Sequence, residues 1–173
     1  MTSQKSKKAE DLLLKYLEGE NILRKKITDP KIEFGYVFGF PTGQQRHPLQ
    51  VIMPKDKDYI TISLGVQIQD VFVQALDAIE PNKKTQFYIE LRKFLLQNNL
   101  LFRLELTLNR YQITDQIYLE ESGFISKDRF FKTVRKIYNS TLYCHFLMEE
   151  YCIDKIDKKY LEPSDLADPA LYS

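Results

Sequence analysis

The residues best equipped for chemistry sit close together near the end of the chain: Cys144, His145, Met148, Glu149 and Cys152. On a helix His145 and Glu149 fall one turn apart, as do Cys144 and Met148, so imidazole, carboxylate and sulfur donors share one stretch. Such a donor set suits copper or zinc. Structural zinc sites, however, use closely spaced cysteine pairs and draw on more than one element, which this run does not do. Leu142 and Phe146 give the same stretch an apolar character. The plainer reading is two buried thiols and a core histidine, with no metal and no cofactor. At 1.5 Å rise per residue the cysteines stand about 12 Å apart, beyond the reach of a disulfide.

A second constellation is electrostatic. Lys127, Arg129, Lys132, Arg135 and Lys136 open the same helical run, and Glu149 and Glu150 close it. That order opposes the helix macrodipole, which favours acids at the start and bases at the end. A broken local rule can mark function, so Arg129, Lys132, Arg135 and Lys136 form a candidate anion site. Against this, Glu120, Glu121 and Asp128 lie close enough in sequence to neutralise them, and solvated lysines need no ligand. Catalytic signatures are missing. His47 and His145 are the only histidines, and no G-x-S-x-G, P-loop or H-E-x-x-H run occurs. Asp56 and Asp58 fall in a charged turn, where a solvated role is the simpler one.

The elements that must position these groups follow from periodicity. Residues 6–18 form an amphipathic helix with Leu13, Tyr16 and Leu17 on one stripe, and Gly19 stops it. Asn21–Ile27 fits either a short helix or an extended lead-in, ended by Asp29-Pro30. Ile32, Phe34, Tyr36, Phe38 and Phe40 alternate along a strand over 31–40. Strands follow at 49–53 and 59–64, with turn chemistry at 41–48 and 54–58, which gives a three-strand antiparallel meander. Next comes a helical block. Asp70 serves as N-cap for 70–79, and Pro81 starts a second helix over 81–98. Strands at 101–109 and 111–119 precede a long helix over 127–153, capped by Ser126.

Helix, three strands, helical block, two strands, long C-terminal helix: this order is an α+β domain over 1–153, with a charged, proline-containing tail at 154–173 expected to be poorly ordered. Bulky residues mark one sheet face. The other carries Gly35, Gly39, Thr61, Ser63, Thr107 and Thr114, so it should be open to water or a partner. Tyr59, Thr61, Arg103 and Tyr118 are the candidate partner-facing residues. Such a face can stack bases, yet no aromatic-glycine RNA-binding run accompanies it and the net charge is only +1. Nucleic acid is therefore not the expected partner. No apolar run reaches the ~18 residues of a membrane span, and the first residues lack the apolar segment of a secretory signal. With two reduced thiols, these features point to the cytoplasm.

Several stretches carry a family resemblance: LQVIMPKDKDYITISLGV, then KTQFYIELRKFLL followed by FRLEL, and SKDRFFKTVRKIYNS. Across about residues 9–152 they are similar to an uncharacterised, largely archaeal domain-of-unknown-function family, DUF2299. The element order resembles the type III secretion chaperone-like fold shared by the YbjN-type group. Pro54-Lys55, Phe87, Leu91-Arg92, Lys127-Asp128-Arg129-Phe130, Val134-Arg135 and Tyr138-Asn139 match best. The resemblance implies a fold that tends to form homodimers and to bind protein segments, and it brings no catalytic residues. The resulting expectation is a non-enzymatic protein-interaction or chaperone-like module. The alternative is an anion- or nucleic-acid-binding regulator using the basic start of the last helix.

Overall fold

Alternation over residues 32–40 builds the strand against which the core condenses. The structure is a computed structural model that describes residues 4–43 and 46–156; most of the expected tail, 157–173, lies outside them. The elements are α1 (Gln4–Gly19), β1 (Leu23–Lys26), β2 (Ile32–Phe40), β3 (His47–Pro54), β4 (Tyr59–Gln67), α2 (Asp70–Ala78), α3 (Pro81–Gln97), β5 (Leu101–Glu105), β6 (Arg110–Tyr118) and α4 (Lys127–Cys152). All six strands join one antiparallel sheet in the order β1-β2-β3-β4-β6-β5. The fold is α+β, four helices packed with one six-stranded antiparallel sheet.

The ambiguous stretch after the first helix is extended. Asn21, at φ 54°, turns the chain out of α1, and residues 23–26 pair with β2 as an edge strand. Arg24, Lys25 and Lys26 then discourage pairing with another chain at that edge. The meander therefore has four strands. Pro81 opens α3 at its first turn, as its missing N–H allows. Asp70 lies inside the first turn of α2, whose N-cap is Gln69 without a side-chain bond. Ser126 does cap α4, its hydroxyl accepting from the Arg129 N–H at 3.2 Å.

The strand expected over 101–109 is shorter than its alternation suggests. It ends at Glu105, and 106–108 form a 3-10 turn that leaves Leu108 exposed. Apolar spacing cannot distinguish a strand from one turn of 3-10 helix, and Asn109 at φ 49° ends the segment.

The helices cover one face of the sheet. α1 packs on β1 and β2, while α4 crosses β4 and β6 with α2 and α3 packed against it. Phe34, Phe38, Ile60, Ile62, Leu64 and Ile113 from the sheet meet Phe130, Val134 and Ile137 of α4. Tyr36 donates to Glu10 Oε1 at 2.7 Å, and Lys26 Nζ reaches the same oxygen at 2.9 Å, so α1 is pinned to the sheet edge. The core continues past residue 153: Ile156 is buried beside the end of α4.

Candidate functional site

The uncovered sheet face is built by the residues between the inward ones. Register places Tyr59 opposite Tyr118, Thr61 opposite Gln116, Ser63 opposite Thr114, and Gly65 opposite Gln112, with Arg103 next to Gln112 on β5. The Tyr59 and Tyr118 rings lie 5.5 Å apart, and Tyr118 is 55% exposed. Arg103 pairs with Glu105 at 2.8 Å, and Arg110 holds the other oxygen of that carboxylate. The structure thus brings Tyr59, Thr61 and Tyr118 together at one end and sets Arg103 toward the other.

Three glycines on this face differ in what surrounds them. A Cβ at Gly35 would meet Ile32, Ile27 and Ile52 at 3.0–3.4 Å, and one at Gly39 would press on the Arg46 and Arg24 side chains. On the β1–β2 side, glycine makes room for neighbours of the same chain. At Gly65 a Cβ would meet nothing within 4 Å. Its pairing with β6 runs through without a bulge. A glycine inside a regular strand weakens it and often marks a close approach by something else. The open space lies at the Gly65 end of the β4–β6–β5 half, since Ser63, two residues earlier on the same face, is buried. Nothing in the residue types singles out Gly65 from sequence, because the two roles differ only in three dimensions.

A second feature was not legible in the sequence at all. His47 and His145, far apart in the chain, line one cavity of about 270 Å³ between the ends of β3 and β4 and helices α2 and α4. β3 pairs with β4 only as far as Leu49↔Leu64, so the strands part where the cavity opens. The His47 ring lies 5.7 Å from that of Tyr138, and His145 sits edge-on to Phe72 at 5.2 Å. His145 Nε2 is 3.2 Å from Glu149 Oε1. Burial, then the proximity of His145 and of Arg24, lowers the affinity of His47 for a proton. His145 is therefore only half-buried, and it faces a cavity.

The basic start of α4 is largely engaged. Lys127 pairs with Glu20, Lys132 with Asp128 at 2.8 Å, and Lys136 with Asp115 at 2.9 Å, while Arg129 donates to the Tyr118 carbonyl at 3.3 Å. Asp115 lies opposite Ile62 on the helix side of the sheet, so the Lys136 pair is partly buried between layers. Arg135 shares a hollow with Glu20 and Asp128. The candidate anion residues Arg129, Lys132, Arg135 and Lys136 therefore do not converge on one open point.

Cys144 and Cys152 are free and buried. Burial pushes their thiols up to about 12 and about 11 respectively, so neither forms thiolate at neutral pH. Both should resist a disulfide exchange reagent at about pH 8 in the folded protein and react once it is unfolded in denaturant. Rapid native labelling of either thiol would contradict this placement. Among the described residues, no three His, Cys, Asp or Glu side chains are grouped to hold a metal ion, and no helix is long and apolar enough to cross a membrane.

Comparison with known proteins agrees with this architecture. The chain is similar to an uncharacterized protein from Methanothermobacter thermautotrophicus, with a TM-score of 0.74 and 25% identity over 83% of this chain and 99% of that one. It shares its fold with a chain of the ExsC–ExsE complex, at a TM-score of 0.50 and 11% identity, covering 80% and 95%. No curated protein matches it. The family described as uncharacterized conserved protein DUF2299 matches residues 9–148. Taken with the fold, this match places the chain in the DUF2299 family.

Proposed function

We propose that the protein is a non-enzymatic, cytoplasmic protein-interaction module of chaperone-like type, acting as a homodimer, which lays an extended partner segment across the Gly65 end of its open sheet face. The observation that carries the reading is Gly65: a strand-interior glycine with open space above it, on a face where Tyr59, Thr61, Tyr118 and Arg103 are displayed. Aromatic rings supply apolar area at low entropic cost, and the polar residues around them supply hydrogen bonds to a backbone. The fold shared with a chain of the ExsC–ExsE complex supports a protein partner. The other reading, an anion- or nucleic-acid-binding regulator, has less support because most of the α4 bases already meet carboxylates of this chain.

The test pairs partner capture with a variant that spares the fold. Gly65→Val adds a side chain that strands favour, into empty space, so thermal stability should hold or rise slightly. Affinity purification from the native cell should recover a partner with the wild-type chain and lose it with Gly65→Val or Tyr118→Ala. Sedimentation at micromolar concentration should show a dimer. A monomer, or identical recovery by wild type and both variants, overturns the reading.

A further inference from the structure

Helix α4 turns one face to the core and leaves a second, regular stripe outside. Arg135, Asn139, Tyr143, Phe146, Glu150 and Ile153 are all exposed. Steps of three and four residues put them on one line along the helix. The middle of that line is apolar. Tyr143 is 43% exposed and Phe146 51%, and Phe94 of α3 stacks on the Tyr143 ring at 3.8 Å, which fixes the ring and widens the patch. Ile153, 57% exposed, extends it two turns further on. Large apolar side chains in register on one face form a patch, not the scatter of single residues that any surface carries.

The flanks of the patch are charged and opposite in sign. Arg135 and Glu150 each stand about 11 Å along the axis from the point midway between Leu142 and Tyr143. Among the described residues, neither forms an ion pair within the chain. A stripe with an apolar middle and opposite charges equidistant from its centre is complementary to itself when turned end for end. A twofold axis through that centre, perpendicular to α4, sets Arg135 against the partner's Glu150 twice over. It also packs Phe146 beside the partner's Asn139 and brings the two Tyr143 rings together. A parallel pairing in register would oppose arginine to arginine and glutamate to glutamate, so charge selects the antiparallel arrangement.

From this geometry we infer that the second copy in the proposed homodimer docks along α4, antiparallel, about a twofold axis between Leu142 and Tyr143. The inference rests on the homodimer reading and supplies the surface that makes the dimer. Because α4 lies on the helix side of the sheet, this contact leaves the open sheet face of each copy free for a partner segment. One helix-on-helix contact is smaller than a standard interface of about 800 Å² per partner, so association in the micromolar range is expected.

Sedimentation velocity of the intact chain from about 1 to about 100 μM tests this. Wild type should dimerise. Arg135→Glu and Glu150→Arg should each weaken dimerisation at least about tenfold, because either change places like charges opposite one another at both ends. The double variant restores both pairs with their signs exchanged, and its affinity should return to within about threefold of wild type. Phe146→Glu sets a carboxylate in the apolar centre and should leave a monomer. All three positions are exposed, so helix content by circular dichroism should match wild type in every variant. A wild-type chain that stays monomeric removes the homodimer reading itself, and this inference with it. A wild-type dimer that persists in Phe146→Glu, or that is indifferent to both single charge reversals, overturns the α4 interface while the homodimer stands. Failure of the double variant to recover overturns the antiparallel arrangement.

Discussion

Truncating Phe130 to alanine is expected to lower stability by about 3–5 kcal/mol, the range for removing a fully buried aromatic side chain. The ring is completely buried where three elements meet, 6.4 Å from Tyr16 of α1, 5.8 Å from Phe38 of β2 and 5.0 Å from Phe131 of α4. Alanine would leave a cavity that none of these rings can fill without tearing another contact, because Tyr16 is tied to the Ile125 carbonyl by a 2.9 Å hydrogen bond. Urea denaturation would show the loss as a lower midpoint with unchanged slope. Phe146→Ala is the control: that ring is 51% exposed on the same helix, and its loss should cost under about 1 kcal/mol. Equal losses for the two variants would mean that α4 does not bury the face assigned to it.

Gly123→Ala is the second large effect, at about 2–4 kcal/mol, and its origin is backbone geometry. Gly123 has φ +78°, and a Cβ there would collide with the Lys5 carbonyl oxygen in the first turn of α1. Two penalties combine: the left-handed conformation is unfavourable for alanine, and the close approach of two backbones has no room for a methyl group. The clash can be relieved only by moving α1 or the loop that leads into α4. Amide hydrogen exchange should therefore accelerate selectively in α1 and near residues 123–126, ahead of the β4–β6 core. A variant with wild-type stability and exchange would show that the start of α1 does not dock there.

These two positions also show where sequence reading succeeds and where it stops. Phe130 falls on the apolar stripe of a long helix, and period-two alternation marks Phe34, Tyr36 and Phe38. Helix and strand periodicity are local properties, so the core-facing residues of both layers were legible. The same holds for Pro81 as a helix start and Ser126 as a cap, since each acts on backbone within one turn. Gly123 is different. Its sequence context marks a turn, but the partner that makes it indispensable is Lys5, at the opposite end of the chain.

The functional candidates divide in the same way. Alternation alone put Tyr59, Thr61, Arg103 and Tyr118 on the face away from the bulky residues, and the strand register sets them there. It could not show that the open space on that face lies at the Gly65 end of β4, β6 and β5, because Arg24, Arg46, Ile27 and Ile52 crowd the other half only after β1 folds onto β2. Nor could the spacing of charges along α4 reveal that Lys127 meets Glu20 and Lys136 meets Asp115, contacts between different elements.

What the sequence by itself determined is the element order, the faces of those elements and hence an α+β fold, together with the absence of any local catalytic motif. Only the tertiary structure decided that His47 and His145 share a cavity, that Gly65 has open space above it while Gly35 does not, and that Lys127 and Lys136 at the basic start of α4 are paired with carboxylates of other elements. The reason is physical. Periodicity and capping act over a few residues, whereas a cavity, an open face or an ion pair depends on which distant segments the core brings together.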